Sequence, residues 1–272
     1  MTIPSEKEIL KRIEAALDEA GRVLKGFTAG AIEAEFKRGH DPVTEADRAV
    51  DKVLKQHLLR DGEGWLSEES VDDLSRLEKR CVWVVDPLDG TREFVEGIPE
   101  FSVSIGYVVD GVPVAGGIHN PATAETFLGS LESGVLYNRQ PVRASQRSTL
   151  AGALVLASRS EVKRGEWKGF DHGLCQIRAM GSVAYKLARV SAGLADITFT
   201  LTPKNEWDVA AGAALVESAG GFVAMLNHQP LRCNQRDPLL SGLLASGPLL
   251  KAELLALVEG VLPVAGAPTN RG

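Results

Sequence analysis

Asp86 and Asp89 stand three residues apart, with Pro87 and Leu88 between them and Gly90-Thr91 directly after. The residues before them, 81–85, form an apolar run rich in β-branched side chains and short enough for a buried strand. Pro87 has no amide hydrogen, so the ladder is expected to stop there. That would leave two carboxylates, a glycine and a hydroxyl at the end of a rigid strand, where proteins concentrate chemistry. The same Pro-Leu-Asp-Gly is also an ordinary turn sequence, with Pro to start it and Gly to accept positive φ.

Three more acidic positions have a comparable double character. Glu68-Glu69 follow the short apolar segment 64–67, and they also read as a solvated acidic loop before the polar stretch 71–80. Asp208, in Asn205-Glu206-Trp207-Asp208, sits at a helix start, where free amides and the helix dipole stabilise a carboxylate. An N-cap aspartate on a closely packing Ala-rich helix, ended by Gly220-Gly221, explains that stretch locally. Asp47 stands three residues after Thr44, the spacing of a capping box.

The elements that would position these groups can be read from periodicity. Ser5 to Glu8 reads as a capping box, followed by Ile9, Ile13, Leu17, Ala20 and Leu24 at helical spacing. Residues 32–36 have strand character. A second helix starts after Thr44, with Val50, Leu54 and Leu58 on its buried face. Residues 101–109 are extended, Asp110-Gly111 is a hairpin signal, and 112–118 is the return strand, with 126–128 and 135–137 extending the meander. Beyond about residue 145, strands at 154–157, 176–178, 197–200, 222–225 and 243–246 alternate in part with helices at 182–192, 209–218 and 249–259. The Pro-, Gly- and Ala-rich tail from Pro263 reads as frayed.

Of 272 residues, 44% are hydrophobic and 24% charged, as in a soluble globular chain with a large core. The formal charge of −6 and the absence of a Lys/Arg run argue against a nucleic-acid polymer as partner. A small phosphorylated ligand remains compatible, because bound cations can reverse the local charge. Cys81, Cys175 and Cys233 follow no metal or disulfide pattern and read as reduced thiols, Cys81 as core packing. His40, His57, His119, His172 and His228 show no metal-ligand spacing. Without an apolar run of ~20 residues, and with a charged amphipathic first helix, a cytoplasmic protein with no membrane partner is expected.

Taken together, Glu68-Glu69-Ser70, then Asp86-Pro87-Leu88-Asp89-Gly90-Thr91, then Trp207-Asp208-Val209-Ala210 with a following Gly-Gly resemble the inositol monophosphatase superfamily. The resemblance covers nearly the whole chain. It implies a lithium-sensitive, magnesium-dependent phosphomonoesterase acting on a small phosphorylated metabolite. The implied fold is α/β, a layered αβαβα sandwich. An antiparallel-sheet half (1–145) would carry most metal ligands, and an α/β half (146–272) would carry Asp208 and the substrate contacts. A homodimer is possible by the same analogy.

By similarity, Glu68, Asp86 and the Leu88 carbonyl would hold one Mg2+, and Asp86, Asp89 and Asp208 a second, out of two or three ions. If these carboxylates converge, repulsion and desolvation would protonate some of them unless cations bind. All-oxygen ligands favour hard ions. The catalytic candidates are Asp47, Thr91 and Glu68; Asp47 and Thr91 resemble the family's water-orienting pair. Substrate contacts implied are Gly90, Thr91, Gly181 and Ser182. Gly181-Ser182 is equally a helix cap after a strand.

Gly90-Thr91-Arg92-Glu93-Phe94 and Asn205-Glu206-Trp207-Asp208 look most like the 3'(2'),5'-bisphosphate nucleotidase branch, which cleaves 3'-phosphoadenosine 5'-phosphate to AMP and phosphate. Inositol monophosphatases more often have Asn where Glu93 stands, and carry an acidic inositol contact several residues before the Trp-Asp pair. Here that region is Thr200-Leu201-Thr202-Pro203-Lys204. Leu201 would offer polyol hydroxyls nothing, whereas Lys204 could meet a second phosphate, or be a solvated loop lysine. The expectation is therefore a nucleotidase, with inositol 1-phosphatase or a broader inositol/fructose-bisphosphate phosphatase as the alternative. The D-x-x-D spacing of Asp86 and Asp89 disfavours a phospho-aspartate mechanism, which uses D-x-D. Retention of Asp47 and Thr91 disfavours a non-catalytic metal- or nucleotide-binding module.

Overall fold

The computed structural model describes residues 3–36, 42–170 and 173–259; His40, His172 and the tail from Pro263 lie outside the described residues. Two helices open the chain. α1 (Glu6–Leu24) is capped by the Ser5 hydroxyl, and α2 (Glu45–Leu58) by Thr44. Between them a minimal ribbon pairs β1 (Glu35–Phe36) with β2 (Pro42–Val43), so only two residues of the extended stretch 32–36 enter a ladder.

A seven-stranded sheet follows in the order of its strands: β3 (Gly64–Ser67), β4 (Cys81–Asp89), β5 (Ser102–Val109), β6 (Val112–Asn120), β7 (Glu125–Ser130), β8 (Gly134–Tyr137) and β9 (Gln140–Val142). A short helix, α3 (Thr91–Val95), leaves the end of β4. Only β3 runs parallel to its neighbour; the others are antiparallel. Asp110 and Gly111 both take positive φ, 50° and 81°, and close the β5–β6 hairpin as their sequence requires.

The remaining elements are β10 (Leu154–Ser158), α4 (Arg159–Arg164), β11 (Gln176–Met180), α5 (Val183–Ser191), β12 (Ile197–Thr200), β13 (Lys204–Asn205), α6 (Glu206–Ser218), β14 (Phe222–Met225), β15 (Leu239–Leu240), β16 (Leu243–Ser246) and α7 (Lys251–Glu259). The second sheet has the order β11-β10-β12-β16-β14, and β13 pairs separately with β15.

The helices form three layers around the two sheets. α1 and α2 cover one face of the first sheet, α5 and α6 lie between the sheets, and α7 with Trp167 and Phe170 covers the outer face of the second. This is an αβαβα sandwich. Strand β4 shows why its sequence is a continuous apolar run: Cys81, Trp83 and Val85 enter the core under α1 and α2, while Val82 and Val84 enter the core under α5 and α6. Helix α6 is buried at nine of its thirteen residues, as a helix between two sheets must be. It approaches so closely that a Cβ on Gly116 would lie 2.4 Å from the Ala211 carbonyl oxygen.

The β4 ladder does not stop at Pro87, contrary to the sequence expectation. Asp86 pairs with Ser104 and Asp89 with Ser102, so Pro87 and Leu88 occupy a β-bulge with one residue more than the partner strand. Pro is tolerated there because a bulge leaves a residue unpaired, and on its other side β4 pairs with β3 only as far as Val85. The bulge has a geometric consequence. Strand residues three apart point to opposite faces, and the extra residue restores parity, so Asp86 and Asp89 open onto the same cleft.

Candidate active site

That cleft encloses about 460 Å³ at the C-terminal end of β4. Glu68 enters from the end of β3, with its amide donating to the Val85 carbonyl. Asp86 and Asp89 come from the bulge, Gly90 and Thr91 from the start of α3, and Asp208 from the first turn of α6. Ser160 and Arg164 of α4 and the segment Thr202 to Asn205 also line the cleft.

Glu68, Asp86 and Asp208 each bring one carboxylate oxygen to within 4.8 Å of the others. Asp86 is 2% exposed, and one of its oxygens accepts from the Leu88 amide at 3.0 Å. Burial first, then the charges of Glu68, Asp89 and Asp208, push its carboxyl well above the ordinary carboxylate range. Burial, with Asp89 and Glu68, does the same to Asp208. Asp208 is not the N-cap of α6: the helix begins three residues earlier than expected, Asn205 is the cap, and Asp208 Oδ2 accepts from the Asn205 amide at 2.9 Å.

Asp89 lies in the same cleft but is held differently. Its Oδ2 accepts from the Ser182 hydroxyl and from the Ala184 amide, both at 2.6 Å. Burial raises its pKa, against the lowering effect of the Ser182 hydrogen bond and the Lys186 charge. Leu88 contributes its carbonyl, which lies 2.9 Å from Thr91 Oγ1.

Asp47 meets Thr44 with one carboxylate oxygen and Thr91 with the other. Oδ2 accepts from the Thr44 amide at 2.8 Å and the Thr44 hydroxyl at 2.6 Å, completing the capping box of α2. Oδ1 lies 2.9 Å from the Thr91 hydroxyl. Thr91 has one proton for two acceptors, Asp47 and the Leu88 carbonyl, so its lone pairs stay available toward the cleft.

Gly181 and Ser182 are not among the residues lining the cleft; they stand behind Asp89. The Gly181 amide donates to Glu100 at 2.8 Å, and a Cβ there would fall 2.4 Å from the Glu93 carboxyl carbon. The Ser182 hydroxyl is used between Asp89 and the Tyr185 amide. Leu201 also departs from expectation: it packs with the Trp167, Phe170 and Phe199 core and does not line the cleft. Lys204 does line it, donating to Thr202 Oγ1 at 2.9 Å.

Sequence reasoning missed two buried charges behind these residues. Glu161, fully buried, accepts from Trp167 Nε1, Thr200 and Thr202 and lies 3.8 Å from Lys204 Nζ. These donors hold its carboxyl below the ordinary range although burial, the largest influence, raises it. Its position three after Ser158 imitates a capping box, which hides it. Lys186, 3% exposed, donates to the Ser182 carbonyl at 2.9 Å and the Met180 carbonyl at 3.4 Å. Burial pushes its pKa down to about 8, with Asp89 pulling upward.

The model of the Inositol monophosphatase family matches residues 5–262. The chain belongs to this family. It is 34% identical over 223 residues to the inositol-1-monophosphatase of Mesorhizobium japonicum, covering 78% of this chain and 83% of that one. It is 32% identical over 216 residues to the fructose-1,6-bisphosphatase/inositol-1-monophosphatase of Thermotoga maritima, covering 76% and 80%. Its fold matches that of an inositol monophosphatase from Anabaena (Nostoc) with a TM-score of 0.78, 30% identity, and coverage of 96% and 99%. The family member described here is thus a metal-dependent phosphatase, a phosphoric monoester hydrolase acting on small phosphorylated substrates. Among the described residues no helix is long and apolar enough to cross a membrane.

Proposed function

We propose that this chain hydrolyses phosphomonoesters of small polyols, with inositol 1-phosphate as the reference substrate and Mg2+ as the metal. The convergence of Glu68, Asp86 and Asp208 within 4.8 Å, in a chain whose relatives are named inositol monophosphatases, supports this reading best. The donor set is all oxygen, which suits a hard cation. It is also buried and repulsive, so it calls for positive charge between its members. Glu68, Asp86 and the Leu88 carbonyl would hold one ion, and Asp86, Asp89 and Asp208 a second.

Bound Mg2+ would supply an activated water at neutral pH and offset the charge of the leaving oxygen. The chain's own groups do the orienting. The Thr91 hydroxyl donates its hydrogen bond to Asp47, and the Thr91 oxygen in turn would accept one from the attacking water and fix its direction. Amides of Gly90 and Thr91 would meet charge developing on the phosphoryl oxygens.

One observation supports a bisphosphate nucleotide as substrate instead. Lys204 carries three donors and uses one on Thr202, while buried Glu161 keeps its ammonium at the cleft wall. A second phosphate could take the remaining protons.

A kcat/KM comparison with Mg2+, with and without lithium, decides between them. Inositol 1-phosphate is expected to exceed 3'-phosphoadenosine 5'-phosphate, with fructose 1,6-bisphosphate as the third arm. If the adenosine bisphosphate wins, and Lys204→Ala lowers its kcat/KM ~10-fold while sparing inositol 1-phosphate, the nucleotidase reading replaces this one.

A further inference from the structure

Lys186 is an unusual residue for the place it occupies. It lies on α5, is 3% exposed, and directs its ammonium at two main-chain carbonyls, those of Met180 and Ser182. A lysine buried in this way loses hydration that two carbonyls replace only in part, so its retention needs a compensating use. The carbonyls it holds bracket the turn between β11 and α5.

That turn is strained and constrained from several sides. Ser182 sits at φ 54° and ψ 117°, a conformation that non-glycine residues rarely adopt. The Gly181 amide is tied to Glu100, and the Glu93 carboxyl occupies the space where a side chain on Gly181 would stand. In this conformation the turn delivers the Ser182 hydroxyl and the Ala184 amide to one oxygen of Asp89. Asp89 itself is one of the residues that line the cleft.

We propose that Lys186 is a positioning residue for Asp89: by holding the Met180 and Ser182 carbonyls it fixes the positive-φ turn whose hydroxyl and amide orient that carboxylate for metal binding. The inference rests on Asp89 being a metal ligand. Outer groups that orient a ligand typically contribute 10–100-fold to metal affinity. Lys186→Met removes the three donors but keeps the length and apolar stem of the side chain. Ser182→Ala removes one of the two donors that the turn supplies to Asp89.

The test is Mg2+ titration by calorimetry of the full chain and of the variants Asp89→Asn, Lys186→Met, Ser182→Ala and the Lys186/Ser182 double substitution. KM for inositol 1-phosphate is measured alongside at saturating Mg2+. Lys186→Met and Ser182→Ala are each expected to weaken Mg2+ binding ~10-fold or more, with KM at saturating Mg2+ little changed. The double substitution should fall well short of the product of the two singles, since both act through one turn. A lower melting temperature with unchanged Mg2+ affinity for Lys186→Met, or a fully multiplicative double variant, overturns the proposal. So does an unshifted affinity for Ser182→Ala, which decides the matter even if Lys186→Met does not fold. If Asp89→Asn leaves Mg2+ binding intact, the assignment of Asp89 as a ligand fails first and carries the Lys186 inference with it.

Discussion

Asp86 and Asp208 store a pH dependence that metal binding should reveal. Their folded-state pKa values lie above the ordinary carboxylate range, chiefly through burial. The folded, metal-free chain therefore keeps protons that the unfolded chain has released. Their contribution to stability falls as pH rises above the unfolded carboxylate value of about 4. Metal ions compete with those protons and stabilise only the folded chain. The rise in Tm on adding Mg2+ should thus grow as pH rises above the unfolded carboxylate value of about 4. A Tm increment that is flat or falls with pH, measured by calorimetry at fixed Mg2+, would contradict the placement of charge described above.

At the scale of elements, the bulge in β4 and Gly116 of β6 share one task. The bulge turns Asp86 and Asp89 onto one face, and the close approach of α6 brings Asp208 to them. A methyl group on Gly116 would meet the α6 backbone at the Ala211 carbonyl, where no side chain can rotate away. Gly116→Ala should therefore shift α6 and destabilise the fold by about 1–3 kcal/mol. It should also weaken Mg2+ binding at temperatures where the variant remains folded. Normal stability in urea unfolding would show that the helix can give way without cost.

Across the whole molecule, the two sheets depend on a shared helical layer. The largest core joins Val82, Val84, Ile118 and Phe127 of the first sheet to Leu187, Val209 and Leu215 of α5 and α6. It continues to Leu156 and Ala245 of the second sheet. Residues 1–145 alone would expose the face that α5 and α6 cover. The full chain is expected to unfold in one cooperative transition, with far- and near-ultraviolet circular dichroism coincident, and a 1–145 fragment should lack cooperative unfolding. Two resolved transitions would mean that the halves are independent domains.

The sequence alone determined most of the elements that carry the candidate carboxylates, because strand and helix periodicity, caps and turn residues are local properties. The runs at 197–200, 222–225 and 243–246 are strands at those bounds, and Asp110-Gly111 closes its hairpin. Only the tertiary structure decided how the residues are used. Pro87 reads as a stop because local rules see a missing donor, yet the ladder resumes once a bulge absorbs it. Leu201 and Lys204 are three residues apart, and packing sends one into the outer core and the other to the cleft wall. Lys186 and Glu161 look like ordinary surface charges in the chain, since nothing within a few residues shows that Asp89 will lie near the one, or Thr202 and Lys204 against the other. Glu161 is placed by partners far away in sequence, Thr200 and Thr202. Lys186 has its carbonyl partners Met180 and Ser182 near in sequence, and is buried beside Asp89 only once the layers have closed.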